Sequence, residues 1–484
     1  MYLDVMILLC LMSIFVIAFI PRVSSGYINS TGLLLSIIML ICNSIFILIY
    51  NKAANFQVFD HYSWLMSSNV LGWGDVTVTV DGISIFFITL SILLIPICII
   101  MSWNAIDNLK KEFIISLFVI LLLLIMVFTV MDIIVFYILF EAILIPMFII
   151  IGVWGSREEK VRAAFYFFFY TLIGSLLMLL CIFKLYSLTG TTNYLNLISI
   201  ELPSSIQFWL FLGFFASFSV KIPMVPVHIW LPQAHVEAPV AGSVLLAGIL
   251  LKLGGYGFIR FGFPLFPVAS EYLSPVIVIL SLVAITYASF TTCRQTDIKR
   301  LIAYSSVSHM GLVTLAIFCH SKEGIIASVV MMIAHGLVSS GLFMGSAVLY
   351  VRHHSRAIRY FRGIVITMPI FSIITLILIL ANIGFPLTLN FIAEFLSILT
   401  AFNYSKIAGL IACLGALIST VYALYFYNRI YFGSISKHLI NSREMLEFEF
   451  QAFLPLVLLT IILGLFPNIL LEFLIVSSLI NISL

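Results

Sequence analysis

The stretch DIIVFYILFEAILIPMFIIIG, residues 132–152, decides the fold. Behind its leading aspartate it holds a single charge, Glu141, set in the middle of an apolar run. A helix rises 1.5 Å per residue, so about 20 apolar residues cross a hydrocarbon core about 30 Å thick. This run is long enough to span. Its composition is that of the whole chain: of 484 residues, 63% are apolar and 9% are charged, against roughly half and a quarter in soluble domains. The sequence therefore reads as an all-α, polytopic membrane protein.

Working outward from residues 132–152, hydropathy broken at polar or Pro/Gly clusters places further spans near 3–20, 31–50, 82–104, 112–130, 161–187 and 207–228. Beyond those, spans are expected near 239–260, 273–291, 300–319, 325–350, 370–402, 406–431 and 452–478, which brings the expectation to about fourteen. The first apolar stretch has no basic segment before it and is followed by more spans, so it reads as a helix and not a signal peptide. Two spans are irregular. In the seventh, Lys221 is followed by Pro223 and Pro226; in the twelfth, Asn382, Gly384, Pro386 and Asn390 interrupt a run too long for one straight crossing. Both are expected to be broken helices.

Two breaks five spans apart suggest a duplicated five-helix unit, residues 112–260 and 273–431, flanked by helices over 3–104 and 452–478. Five is odd, so the second copy is expected upside down relative to the first. Without a Gly/Ser-rich or Pro-rich linker, residues 1–484 read as one transmembrane domain. Sixteen of the twenty loop lysines and arginines follow odd-numbered spans; Lys52, Arg260, Lys322 and Lys406 are assigned to even loops. Positive loops stay on the side of synthesis, so odd loops are expected to face cytoplasm or matrix and both termini the other side.

Charge at membrane depth is costly, which makes each ionisable residue inside a span a functional candidate. Glu141, Lys221, Lys252, His309, His335 and Glu394 lie at similar expected depth on six different spans, forming a row parallel to the membrane. Broken helices strengthen this reading, because unwound backbone is tolerated there only inside protein or along a hydrated cavity. Ser217, Ser219, Ser305, Ser306, Ser308 and Thr388 extend the candidate hydrogen-bonded chain. The structural alternative is that the charges are buried ion pairs and the histidines bond backbone carbonyls. His228, His235 and Glu237 are expected near a membrane face, capping helices or shaping an opening; Lys184 snorkels, and His353 and His354 read as solvated.

Other chemistry is set aside. The seven cysteines stand singly, with no C-x-x-C pair, and there is no Walker A loop, no G-x-G-x-x-G after a strand and no H-E-x-x-H. A net charge of +3 gives no case for nucleic acid.

Three segments carry a resemblance: KIPMVPVHIWLPQAHVEAP at residues 221–239, KLGGYG at 252–257 and RQTDIKRLIAYSSVSHMG at 294–311. They resemble the antiporter-like subunits of proton-pumping NADH:ubiquinone oxidoreductase, respiratory complex I. In that family a glutamate on helix five pairs with a lysine on broken helix seven, and a central lysine and histidines lead to a charged residue on broken helix twelve. The motifs carry these roles to Glu141, Lys221, Lys252, His309, His335 and Glu394. Ala393 stands where the family often has glycine, which changes the expected backbone beside Glu394. The resemblance further implies proton translocation with no cofactor on this chain. NADH, FMN, iron–sulfur clusters and ubiquinone would belong to other subunits. The partners implied are neighbouring membrane-arm subunits, other antiporter-like ones among them, and membrane lipids.

Two rivals are a subunit of a multi-subunit cation/proton antiporter and a non-conducting scaffold of the membrane arm. A glutamate on helix twelve and the wording GFPLTLNFIAEF at 384–395 favour complex I. Extreme hydrophobicity with few charges points to the mitochondrial inner membrane, with termini toward the intermembrane space, over a bacterial plasma membrane.

Overall fold

The computed structural model describes residues 2–22, 24–52, 56–63, 75–437 and 442–480. Its main helices are α1 (Tyr2–Phe19), α2 (Ser25–Ile49), α3 (Ser84–Ser102), α4 (Lys110–Thr129), α5 (Ile133–Trp154), α6 (Lys160–Thr189), α7 (Ser204–Lys221), α8 (Trp230–Glu237) and α9 (Val240–Leu265). They continue as α10 (Pro267–Cys293), α11 (Ile298–Ile317), α12 (Lys322–His353), α13 (Pro369–Asn382), α14 (Leu389–Tyr404), α15 (Lys406–Tyr431), α16 (Glu447–Leu465) and α17 (Asn468–Ile480). Eleven of the described helices are long and apolar enough to cross a membrane, and Leu3–Phe19 and Pro369–Asn382 are shorter apolar helices. The all-α membrane fold expected from hydropathy is what the structure has.

Burial sorts the helices into rings. The apolar window of α9 is completely enclosed and that of α12 is 94% buried, whereas α6 and α15 leave most of theirs open. A helix apolar all round and wrapped by others belongs at the centre of a bundle. Glycines let it be wrapped closely: a Cβ on Gly254 of α9 would lie 2.8 Å from the Phe218 carbonyl oxygen of α7 and 2.6 Å from Ile222 Cγ1.

Both irregular spans are broken. The seventh was expected to run to residue 228, but α7 ends at Lys221 and helix resumes only at Trp230. Pro223 and Pro226 have no N–H to continue the ladder, and the indole of buried Trp230 takes over by donating to the freed Val220 carbonyl at 3.0 Å. In the twelfth, α13 stops at Asn382 and α14 starts at Leu389. Gly384 between them has φ +75°, and a Cβ there would collide with Glu394 Oε2. Glycine takes that conformation without steric strain.

Asp132 and Asp297 open α5 and α11 in matching local geometry, with φ/ψ of −105°/129° and −106°/129° and side chains accepting from the first turn. Each forms an antiparallel bridge to a loop about sixty residues on, Asp132 with Asn193 and Asp297 with Ala357. Ile133 N donates to Thr192 O at 3.1 Å, and Ile298 N to Arg356 O at 3.0 Å.

The structure corrects several expectations. Arg260, assigned to an even loop, is buried inside α9 and paired with Asp81. That leaves sixteen basic residues in odd loops against three in even ones. Lys299 and Arg356, read as loop charges, are each 3% exposed. The last expected span, 452–478, is two helices parted around Pro467. Residues 51–81 were read as loop; Gln57–Ser63 and Asp75–Val80 pair there as antiparallel strands, while 53–55 and 64–74 lie outside the described residues.

Candidate functional site

Four of the six candidate residues meet in the centre. Lys252, fully buried on α9, donates from Nζ to the Ala247 carbonyl and lies 2.8 Å from Nδ1 of His335 on α12. The His335 and His309 rings are 5.7 Å apart, and His309 Nδ1 on α11 is 3.6 Å from Glu394 Oε1 on α14. The row expected from depth alone is thus a series of neighbouring ionisable groups across four helices. Asn382, Ser308 and Tyr422 add hydroxyl and amide groups around its outer end.

The backbone around Lys252 is irregular on both sides. Leu246–Leu250 and Phe258–Gly262 are π-helical turns flanking one α-helical segment. Such bulges leave main-chain groups free of the ordinary ladder, and here Ala247 O is the carbonyl that receives the lysine.

Glu141 and Lys221 form a separate group. Lys221 is 3% exposed, and its Nζ sits 4.3 Å above the centre of the Phe140 ring. The Glu141 carboxylate feels the Lys221 charge and faces Ser175 of α6. No nitrogen–oxygen distance within 4.0 Å joins the two among the described residues. The two couple through their charges, and the ammonium itself rests on the ring of the residue preceding the glutamate, a cation–π contact worth about 2 kcal/mol when desolvated. Phe218 and Ile222, on either side of Lys221 in sequence, press on Gly254 and Gly257 of the helix that carries Lys252.

Several buried polar atoms have no partner within the protein: Glu141 Oε1, Ser217 Oγ, both ring nitrogens of His309, His335 Nε2, Glu394 Oε1 and both amide atoms of Asn390. Unpaired buried polar groups cost about 1–3 kcal/mol each. Others without a partner lie elsewhere, among them both ring nitrogens of His235 and Glu237 Oε2; groups of this kind are where bound water belongs. A cavity of about 310 Å³ opens on Glu394, lined also by Ile383, Gly384 and Thr420.

Sequence reasoning missed a second polar cluster. The C-terminal carbonyls of α8 are held by cations, Lys299 Nζ to Ala238 O at 2.9 Å and Arg356 Nη1 to Val236 O. Positive groups at a helix C-terminus complement its dipole. His235, expected near a face, is wholly buried, its ring stacked 4.4 Å from that of Phe343 with neither nitrogen partnered in the protein.

Residues 130–419, which include all six candidate residues, match the family described as NADH:quinone oxidoreductase/Mrp antiporter, TM. The chain belongs to this family. Among its members, NADH-ubiquinone oxidoreductase chain 4 of Metridium senile is 52% identical over 472 residues, 97% of this chain and 96% of that one. In a solved structure, respiratory complex I from Thermus thermophilus with bound NADH, one chain superposes with a TM-score of 0.88 at 26% identity, covering 100% of this chain and 99% of its own length. A chain of the Mrp complex from Dietzia sp. DQ12-45-1b shares the fold, with a TM-score of 0.87 at 17% identity over 99% and 98% of the two chains.

Proposed function

We propose that this chain is a proton-translocating membrane subunit of an NADH:ubiquinone oxidoreductase, driven by electron transfer that takes place on other subunits. The observation that carries the reading is the succession Lys252, His335, His309, Glu394 as neighbours on four helices, with orphaned polar atoms along it and a cavity at its outer end. NADH, FMN, iron–sulfur clusters and ubiquinone would be handled by partner subunits of the membrane and peripheral arms, this chain holding no redox centre. The relatives' names support the mitochondrial inner membrane, and the excess of basic residues in odd loops supports termini facing the intermembrane space. The matched aspartate bridges, which the two halves place on opposite faces by their span order, support an inverted repeat over about 112–260 and 273–431.

The proposed cycle begins at Glu141. Its carboxylate helps to hold a proton on Lys221; withdrawing or neutralising it frees that proton. Transfer to Lys252 then passes the end of α7, where Phe218 and Ile222 pack on Gly254 and Gly257, and the break after Lys221 is the proposed moving element. From Lys252 the proton passes through His335 and His309 to Glu394, over the short separations given above.

Assembled complexes carrying Glu141→Gln or Lys221→Ala test this. Each should lose most coupled ubiquinone reduction and pumping while oxidising NADH with an artificial acceptor at the normal rate, and Glu141→Asp should fall between Gln and wild type. A fully assembled Glu141→Gln complex that pumps at wild-type rate and stoichiometry favours the scaffold reading instead.

A further inference from the structure

We propose that an ammonium-headed phospholipid, of the phosphatidylethanolamine type, occupies a groove on the lipid-facing side of α6 and α7 and braces the helix break that carries Lys221. The groove has a volume of about 880 Å³ and is walled by Phe169, Ile173 and Leu177 of α6, by Phe215 and Val220 of α7, and by Pro226 beyond the break. Eleven residues separate Arg162, at its mouth, from Ile173, a rise of about 16 Å, or about half of a 30 Å hydrocarbon core. Such a groove runs from headgroup level to the midplane. That is the course of one acyl chain in one leaflet.

The headgroup end settles the chemistry. Arg162 and Tyr166 line both the apolar groove and an adjoining polar pocket of about 130 Å³, whose other walls include Glu159, Gln233, Glu237 and Arg300. The Arg162 guanidinium is 5.6 Å from the Tyr166 ring and within 3.4 Å of its hydroxyl. Guanidinium groups hold phosphate by paired N–H donors. A purely anionic headgroup would then face the carboxylates of Glu159 and Glu237 as well. A zwitterion whose primary ammonium donates to those carboxylates while its phosphate accepts from the two arginines meets the four charges that line the pocket, Glu237 facing Arg157, Lys299 and Arg356 as well. A quaternary choline head has no N–H to donate.

The tail would lie against Val220 and Pro226, on either side of Lys221 in sequence. Occupancy therefore packs the outer side of the break, and its loss leaves that side loose. The binding claim does not depend on the proton-transfer reading, because the test reads adducts and not pumping.

The assembled, delipidated complex is incubated with phosphatidylethanolamine carrying a diazirine in one acyl chain, irradiated, and mapped by peptide mass spectrometry. Adducts are expected to concentrate on residues 162–177 and 212–227, and to be displaced by unlabelled phosphatidylethanolamine more effectively than by phosphatidylcholine or phosphatidylglycerol. In the Glu159→Gln/Arg162→Ala complex that preference should be lost. Labelling there no denser than on the lipid-facing helix Lys406–Tyr431, as when another subunit's helix fills the groove, overturns the proposal. So does equal competition by phosphatidylglycerol.

Discussion

Replacing Asp81 with asparagine should destabilise the centre of the bundle far more than its position just before α3 suggests. Asp81 and Arg260 form an ion pair with side-chain exposures of 1% and 4%. Aromatic rings of Phe56, Tyr194 and Tyr256 lie 5.5–5.9 Å from the guanidinium, and Asp81 Oδ1 also accepts from Ser84 N at 2.8 Å. Removing one partner of a buried pair leaves the other charge uncompensated, at a cost of about 3–5 kcal/mol, or about two to three and a half decades in an equilibrium. The effect should reach the site, because Arg260 lies eight residues beyond Lys252 on α9, about 12 Å along the axis. Heat inactivation of the purified complex, with assembly followed by native electrophoresis, gives the readout. The Asp81→Asn complex should assemble poorly and inactivate at lower temperature. The double substitution Asp81→Leu/Arg260→Met, which removes both charges, should recover most of the loss, since apolar replacements of a buried pair are often neutral. An Asp81→Asn complex as heat-stable as wild type would refute the reasoning, as would a double variant no more stable than the single one.

Two further substitutions probe the breaks. Trp230→Phe deletes the donor to the Val220 carbonyl and leaves that oxygen unsatisfied at about 1–3 kcal/mol; ubiquinone reduction should fall with NADH oxidation by an artificial acceptor unchanged, measured on assembled complex. Gly384→Ala places a side chain at φ +75° and against the Glu394 carboxylate, costing about 1–2 kcal/mol in backbone strain alone; pumping measured by dye quenching in sealed vesicles should drop, and a normal rate would mean that Glu394 does not need its present position.

All six candidate residues stand out in the sequence because ionisable groups contrast with apolar spans, and the prolines and glycine nearby mark Lys221 and Glu394 again. What escaped had no such contrast. Arg260 lies near the end of its span and its partner is 179 residues away in sequence, so it read as a loop charge. Lys299 and Arg356 read from sequence as odd-loop charges because the turn of chain that buries them, the end of α8, follows a break whose geometry hydropathy does not contain. Trp230 caps α7 through one indole N–H, a role hidden in an apolar residue. The strand at Asp75–Val80 has a sequence signature: VTVTV at 76–80 alternates with period two. The matching backbone geometry at Asp132 and Asp297 leaves little trace in the sequence, because few side-chain identities are needed to hold it.

The central claim is that protons pass along the row through Lys252, and the most direct measurement is the number of protons pumped per NADH oxidised by a fully assembled Lys252→Met complex in sealed vesicles. Methionine fills a similar volume without a proton to carry, so the row is cut between Lys221 and His335. Oxidation of NADH by an artificial acceptor should stay normal, while ubiquinone reduction and proton pumping both fall steeply. Wild-type ubiquinone reduction with wild-type proton stoichiometry in that complex would contradict the account.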